Sequence, residues 1–149
     1  MSLTIEQARD EIHTLFKTAW DAGVETTGKT VLYWDSKLVV PKTNDANNNP
    51  DTWARITVQH VTGTQASLAN RSGQKKFTRT GLVTVQVFTP LGTGLSIADK
   101  VYNIVKNAFE GKATPGNVWF REVRVNEVGP SGNWFQGNVL ADFEYDEIT

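Results

Sequence analysis

The sequence of 149 residues contains no cysteine and a single methionine. Without cysteine there is no disulfide, no thiolate metal ligand and no cysteine nucleophile, and this composition is typical of proteins that assemble in a reducing cytoplasm. No run of about 18 apolar residues occurs, and residues 1–6 lack the basic and apolar stretches of an export signal. We therefore expect neither export nor a membrane span.

An excess of positive charge is also missing. Lysine and arginine number 15 against 16 acidic residues, which gives a formal net charge of -1. Proteins that bind nucleic acid non-specifically carry a broad positive field, so general DNA binding is disfavoured. The length is sufficient for one core, and we expect a single domain over residues 1–149.

Two segments have the apolar spacing of amphipathic helices. In the first, Thr4 and Gln7 form a capping-box pattern, and Gly23 is expected to end the helix in the left-handed conformation. In the second, Ser96 is expected to cap the helix and Gly111 to end it. The apolar stripes are Ile5, Ala8, Ile12, Leu15, Phe16 and Ala19, and Ile97, Val101, Ile104, Val105 and Ala108.

The rest of the chain alternates between strands and polar loops. Short runs of β-branched and aromatic residues predict strands, and tracts rich in Gly, Ser, Asn and Gln predict exposed loops. The expected strands are 30–34, 38–40, 53–61, 77–88, 118–128 and 134–145, and the expected loops are 42–51, 62–76 and a five-residue hairpin connection at 129–133. This order predicts an α+β fold with a mainly antiparallel sheet and two principal helices packed on one face.

Motifs that would carry catalysis are weak. The sequence Gly-Thr-Gly-Leu-Ser-Ile at 92–97 resembles a dinucleotide-binding turn, but its third glycine position is Ile97. His13 and His60 have no carboxylate at metal-ligand spacing, so we expect a solvated His13 and a partly buried, hydrogen-bonded His60. The carboxylates Glu144, Asp146 and Glu147 are expected to be solvated and to discourage edge pairing of the last strand. We predict no catalytic, cofactor-binding or metal-binding residue.

The candidate functional residues are instead those suited to protein contacts. Tryptophan is common both in cores and at interface hot spots, and basic clusters on loops orient docking to acidic surfaces. Polar residues on long loops supply further contacts. The interface candidates are Trp34, Asn47, Trp53, Gln65, Arg71, Lys75, Lys76, Arg79 and Trp134.

Several of these motifs together resemble a known family. Residues 77–92, with the sequence Phe-Thr-Arg-Thr-Gly-Leu-Val-Thr-Val-Gln-Val-Phe-Thr-Pro-Leu-Gly, lead into the second helix, and residues 132–139 read Gly-Asn-Trp-Phe-Gln-Gly-Asn-Val. With the first helix and the Gln-Ala-Ser sequence at 65–67, they resemble the tail terminator, or tail completion, proteins of long-tailed bacteriophages and prophages. The Asn-rich tract at 44–49 matches no family feature.

The resemblance implies a non-enzymatic virion protein, assembled in the host cytoplasm and located at the head-proximal end of the tail. Such proteins form a ring, usually a hexamer, that stops tube polymerisation and joins the tail to the head or neck. The implied partners are further copies of the chain, the major tail tube protein, the head-tail connector or neck protein and the tape measure protein. DNA would pass through the lumen without specific binding, and no cofactor or membrane is implied.

Two other classes of protein remain open from the sequence. The first is another phage structural protein, from the neck, head-completion apparatus or baseplate. The second is a small enzyme or ligand-binding module on an α+β fold, because fold alone does not determine function. A pocket with convergent polar groups and a perturbed titratable residue would favour the second class.

Overall fold

The computed structural model describes residues 3–24, 26, 29–33, 52–68, 73–90, 95–131 and 134–148. Within them lie two helices and five strands. In chain order these are α1 (Ile5–Ala22), β1 (Thr30–Tyr33), β2 (Trp53–Gln65), β3 (Lys76–Pro90), α2 (Leu95–Phe109), β4 (Trp119–Ser131) and β5 (Trp134–Ile148). The predicted α+β class is confirmed.

The five strands form one sheet in the order β1-β2-β3-β5-β4. Strands β2, β3, β5 and β4 pair antiparallel, whereas β1 pairs parallel to the start of β2. The longest ladder joins β3 to β5, from Lys76 opposite Ile148 to Pro90 opposite Trp134. The last strand of the chain therefore lies inside the sheet, next to its centre.

Both helices pack on the same face of this sheet. Alternate strand residues point toward them, because side chains in a strand alternate between faces. The buried set on the sheet side is Ala54, Ile56, Val58, Val83, Val85, Val87, Val139, Ala141, Phe143 and Tyr145. From the helices, Phe16 stacks on Phe109 at 6.2 Å between ring centroids, and Trp20 is fully buried beside Phe16. The apolar stripes thus form one core between the two layers.

The ends of the helices correct two predictions. The capping box of Thr4 and Gln7 is present, but Gly23 is extended, with φ -73° and ψ 140°. Gly23 is needed for space instead, because a Cβ there would meet Thr26 and Ile104. The second helix already includes Leu95, so Ser96 lies in its first turn and is not the N-cap. Gly111 does take the predicted left-handed conformation, with φ 70°.

The strands are longer than the sequence pattern indicated. β2 continues to Gln65 and β3 begins at Lys76, so the predicted 62–76 loop shrinks to ten residues, 66–75. β4 likewise continues to Ser131, and β5 begins at Trp134 as predicted. Two connecting residues therefore remain where five were expected. Backbone pairing across the sheet holds these polar extensions, and a period-two apolar pattern does not reveal such pairing. The predicted strand at 38–40, the loop at 42–51 and residues 91–94 lie outside the described residues.

Candidate interaction site

The sheet continues beyond the core as a narrow three-stranded extension, which we call the β-arm. It consists of residues 62–65 of β2, 76–79 of β3 and 146–148 of β5, joined by the same ladders as the body of the sheet. Every residue of the β2 portion is exposed, although alternate side chains of a strand point to opposite faces. Neither face of that portion is therefore covered by the helices.

Ion pairs brace the β-arm across β3 and β5. Both Nε and Nη2 of Arg79 donate to Oε1 of Glu147, at 3.2 and 2.9 Å, and the two side chains are only 27% and 15% exposed. On the same pair of strands, Asp146 accepts from the Thr78 hydroxyl at 3.0 Å and lies 3.3 Å from Nζ of Lys76. Pairing of side chains across adjacent strands stabilises a sheet that has no apolar layer over it.

The prediction that the terminal carboxylates are solvated is wrong for Glu147 and Glu144, whose side chains are 15% and 25% exposed, whereas Asp146 is 47% exposed. β5 lies between β3 and β4 as far as Glu144, but residues 146–148 pair with β3 alone, so β5 is an edge strand in the β-arm. Asp146 and Glu147 both take basic partners from β3. The sequence separation of 68 residues between Arg79 and Glu147 explains why local spacing did not reveal the pair.

The tip of the β-arm combines an exposed apolar side chain with a basic one. Leu68 is 87% exposed, and Lys75 is exposed at the other side of the connection. The Gln65 side-chain amide donates to the Ser67 carbonyl at 2.9 Å, and the Lys76 amide donates to the Ser67 hydroxyl at 3.0 Å. These hydrogen bonds hold the backbone at the end of β2, directly before Leu68.

At the base of the β-arm, His60 meets Tyr145. Nε2 of His60 lies 2.8 Å from the Tyr145 hydroxyl, which confirms the predicted partly buried, hydrogen-bonded histidine. Burial lowers the pKa of His60 from its ordinary value; the positive charges of Arg9 and Arg79 lower it further, and Glu147 opposes them. Burial raises the pKa of Tyr145, and Glu147 adds to this effect against Arg79 and Arg9. The pair joins the body to the β-arm. His13, expected to be solvated, is half-buried on α1.

A second surface feature lies on the helical layer. The space between α1 and the C-terminal half of α2 is an open groove of about 700 Å³, which we call the helix groove. Its apolar lining comes from small and branched side chains, and charged residues stand among the lining residues. The apolar members are Leu15, Ala19, Ala22, Ile104, Ala108 and Pro115, and the charged ones are Asp10, Glu11 and Lys112.

An aromatic cluster lies at the other end of the sheet. Trp53 stacks on Phe88 at 4.1 Å between centroids, and Trp134 meets Trp53 edge-on at 6.3 Å. Trp53 is only 8% exposed, and its indole N–H has no hydrogen-bond partner among the described residues. Packing within the chain accounts for much of the surface of these rings.

The structure therefore divides the predicted interface residues into two groups. Gln65, Lys75, Lys76 and Arg79 come together on the β-arm, and Trp53 and Trp134 share the aromatic cluster. Trp34, Asn47 and Arg71 lie outside the described residues. No local sequence pattern indicated the helix groove as a surface, or Leu68 and Glu147 as parts of the site. Whether any of these residues makes an intermolecular contact stays a prediction.

In the described part of the chain, no group of three or more His, Asp or Glu residues is placed to hold a metal ion. None of the helices described has the length and apolar character needed to cross a membrane.

Comparison with known proteins adds information on the fold. No protein-family model matches the chain, and no curated protein matches its sequence. One solved structure, of a protein without a functional name, is similar over 99% of this chain and 96% of its own, at 14% identity and a TM-score of 0.64. This likeness shows that the fold occurs elsewhere. A chain from the virion of a native gene transfer agent particle is similar over 93% of both chains, at 10% identity and a TM-score of 0.47, which is too low to support a shared fold.

Proposed function

We propose that this chain is a non-enzymatic structural subunit of a phage-type virion. It forms a homo-oligomeric ring, most simply a hexamer, at the head-proximal end of the tail tube. There it ends tube polymerisation and offers the surface that joins the tail to the neck. Its partners are further copies of itself, the major tail tube protein, the connector protein and the tape measure protein.

The observation that carries this proposal is the β-arm. A protein with no neighbours gains little from fifteen-residue strands whose ends leave the core, because such ends bury no apolar surface. A ring subunit, in contrast, needs rigid projections that reach the next subunit in a head-to-tail arrangement. The ion pair between Arg79 and Glu147 gives the β-arm that rigidity.

The sequence resemblance supports the same assignment. The segment 77–92, which resembles tail terminators, includes most of β3, the strand that runs from the β-arm through the centre of the sheet. The segment 132–139 includes the start of β5, the neighbour of β3. The two segments that carry the resemblance are therefore adjacent in the fold.

Particles that lack this protein test the proposal directly. We expect their tails to be overlong and headless by electron microscopy, and we expect purified protein to restore a uniform length and head attachment. A second protein for the same assay is the variant Leu68→Asp. The change is at an exposed side chain, so the variant should fold, but it should restore tail length and head attachment less than the unmodified protein does. Tails of normal length with leaking heads would assign the protein to the neck, and fully normal particles would overturn the structural proposal.

A further inference from the structure

The helix groove is an apolar surface that the chain leaves open. Its lining includes Leu15, Ala19 and Ile104, which are partly buried but still reach the surface between the helices. Its width comes from small residues, since Ala19, Ala22 and Ala108 lack the side chains that would fill it. A groove of this kind accepts a branched apolar side chain, because burying one removes both surfaces from water.

The charged residues around the helix groove favour a binding partner with a positive charge. Asp10 is exposed on α1, and the carboxylate of Glu11 accepts a hydrogen bond from the Gly116 amide at 2.8 Å. Among the described residues that line the groove, Lys112 is the single basic one. The groove therefore has an excess of one negative charge among its lining residues.

The tip of the β-arm has the complementary properties. Leu68 exposes 87% of its surface and packs in no part of the core. Lys75 brings a positive charge to the same tip, and among the described residues no acidic side chain is recorded as its ion-pair partner. An apolar and a basic side chain thus lie together at the tip of the β-arm. The helix groove offers an apolar lining to the first and acidic residues to the second.

We infer that the tip of the β-arm, through Leu68 and Lys75, docks in the helix groove of a second copy of this chain. The groove lies between helices that pack on one face of the sheet, whereas the β-arm extends as a paired, braced part of the sheet itself. A three-stranded ladder does not fold back over its own helical layer, so the occupant is a neighbour. Because donor and acceptor surfaces differ, each copy can use both, and such a head-to-tail contact forms a ring where the rotation between copies closes.

This inference rests on the proposed ring and assigns its subunit contact to named residues. The ion pairs of the β-arm would favour this contact. A stiff arm loses less conformational freedom on docking than a flexible loop does. Contact between Lys75 and the acidic lining would orient the encounter, while Leu68 would supply most of the buried apolar surface.

Disulfide trapping tests the contact, and the chain is suited to it because it has no native cysteine. The variant with Leu68→Cys and Thr18→Cys places one thiol on the tip and one in the groove lining. Mixed with tail tubes from particles lacking the protein and then oxidised, it should give a ladder of covalent oligomers up to the ring number. The control with Leu68→Cys and Ser96→Cys, whose second thiol is exposed on α2 outside the groove, should give no ladder beyond dimers.

A charge exchange provides the second test. Asp10→Lys and Lys75→Glu should each raise the protein concentration needed for half-complete ring assembly about tenfold, and the double variant should restore it to within about threefold. Rings seen by electron microscopy that give neither the ladder nor the restoration would overturn the inference and leave the proposed function intact. Tubes that carry no ring with any variant, the unmodified chain included, would overturn both.

Discussion

At the scale of single residues, Gly81 shows how tightly β3 packs where the body of the sheet meets the β-arm. A Cβ on Gly81 would overlap the Gln59 carbonyl oxygen and the Phe143 ring, neither of which can move freely. A Cβ on Gly63, in the β-arm, would overlap only the Arg79 side chain. The two glycines therefore differ in how easily their surroundings adjust.

Replacing these glycines by alanine should separate the two cases. Gly81→Ala should lower the free energy of unfolding by about 2 kcal/mol or more, because the backbone itself must shift. Gly63→Ala should cost less, because it displaces side-chain atoms of Arg79 and no backbone atom, and its cost is limited to weakening the ion pair with Glu147. Urea unfolding followed by tryptophan fluorescence measures both, and equal losses would contradict this account of β3.

His60 makes stability depend on pH in a definite direction. Burial, Arg9 and Arg79 hold its pKa below the ordinary value, so the folded chain resists protonation that the unfolded chain accepts. Above the ordinary pKa of about 6.5 both states are neutral at this residue and no penalty exists. As the pH falls below that value, the unfolded state gains protons first, and stability is lost until the folded pKa is passed.

The variant His60→Gln should remove that dependence. Its amide can keep a hydrogen bond to the Tyr145 hydroxyl but cannot take up a proton. We expect the melting temperature of the unmodified chain to fall more between pH 7.0 and pH 5.5 than that of the variant. Parallel melting curves for the two proteins would show instead that His60 does not contribute.

At the scale of elements, the β-arm depends on its side chains more than the body of the sheet does. Arg79→Met removes the partly buried pair with Glu147, whereas Lys76→Met removes a pair whose partners are 48% and 47% exposed. Exposed pairs contribute about 0–1 kcal/mol, so the second change should matter less. Amide hydrogen exchange should quicken in residues 62–65 and 76–79 after Arg79→Met, with little change at 83–87. Uniform protection in both variants would contradict the bracing role.

The elements also show what local sequence can and cannot predict. Both helices and the central parts of the strands were predictable because an apolar side chain recurs at the period of the element that buries it. The β-arm has no such signal, since its stability comes from pairing with residues distant in the chain. The extended Gly23 was missed for a related reason: the close approach of Ile104 is a tertiary fact, which no capping rule contains.

At the scale of the whole molecule, the sheet face opposite the helices pairs its basic residues with acidic ones. Arg121 lies 3.8 Å from Glu144 and Arg124 lies 3.7 Å from Asp142, so acids from β5 accompany the two arginines of β4. With a net charge of -1, the chain should retain DNA weakly. The same balance would let DNA pass a ring without adhering.

Neutralising those acids should create DNA binding. The double variant with Asp142→Asn and Glu144→Gln leaves both arginines uncompensated, and we expect a gel shift at low salt that disappears as salt rises. About two new phosphate contacts would change the slope of log affinity against log salt by about -1.8. The control, Asp146→Asn on the β-arm, should stay close to the unmodified chain. Equal retention by all three proteins would contradict the proposed balance.

The candidate site was only partly predictable. Basic and polar residues near 65–79 stood out by composition, and the structure places four of them on one projection. The composition of the sequence could not indicate the helix groove. The groove arises from the distance between two helices and from the small size of the side chains that line it. The aromatic cluster likewise joins Trp53 to Trp134, which lie 81 positions apart in the sequence.

The position of β5 also determines when the protein can fold during its synthesis. Until residues 134–148 have left the ribosome, β3 lacks one of its two neighbours over all fifteen of its residues, and β4 has no partner strand at all. Domains generally fold as units while the chain is made, but this one must wait for its final strand. A chain that ended before residue 134 would display the long open edge of β3, and exposed strand edges of this kind lead to aggregation. The order of the strands thus makes folding of the whole sheet depend on residues 134–148.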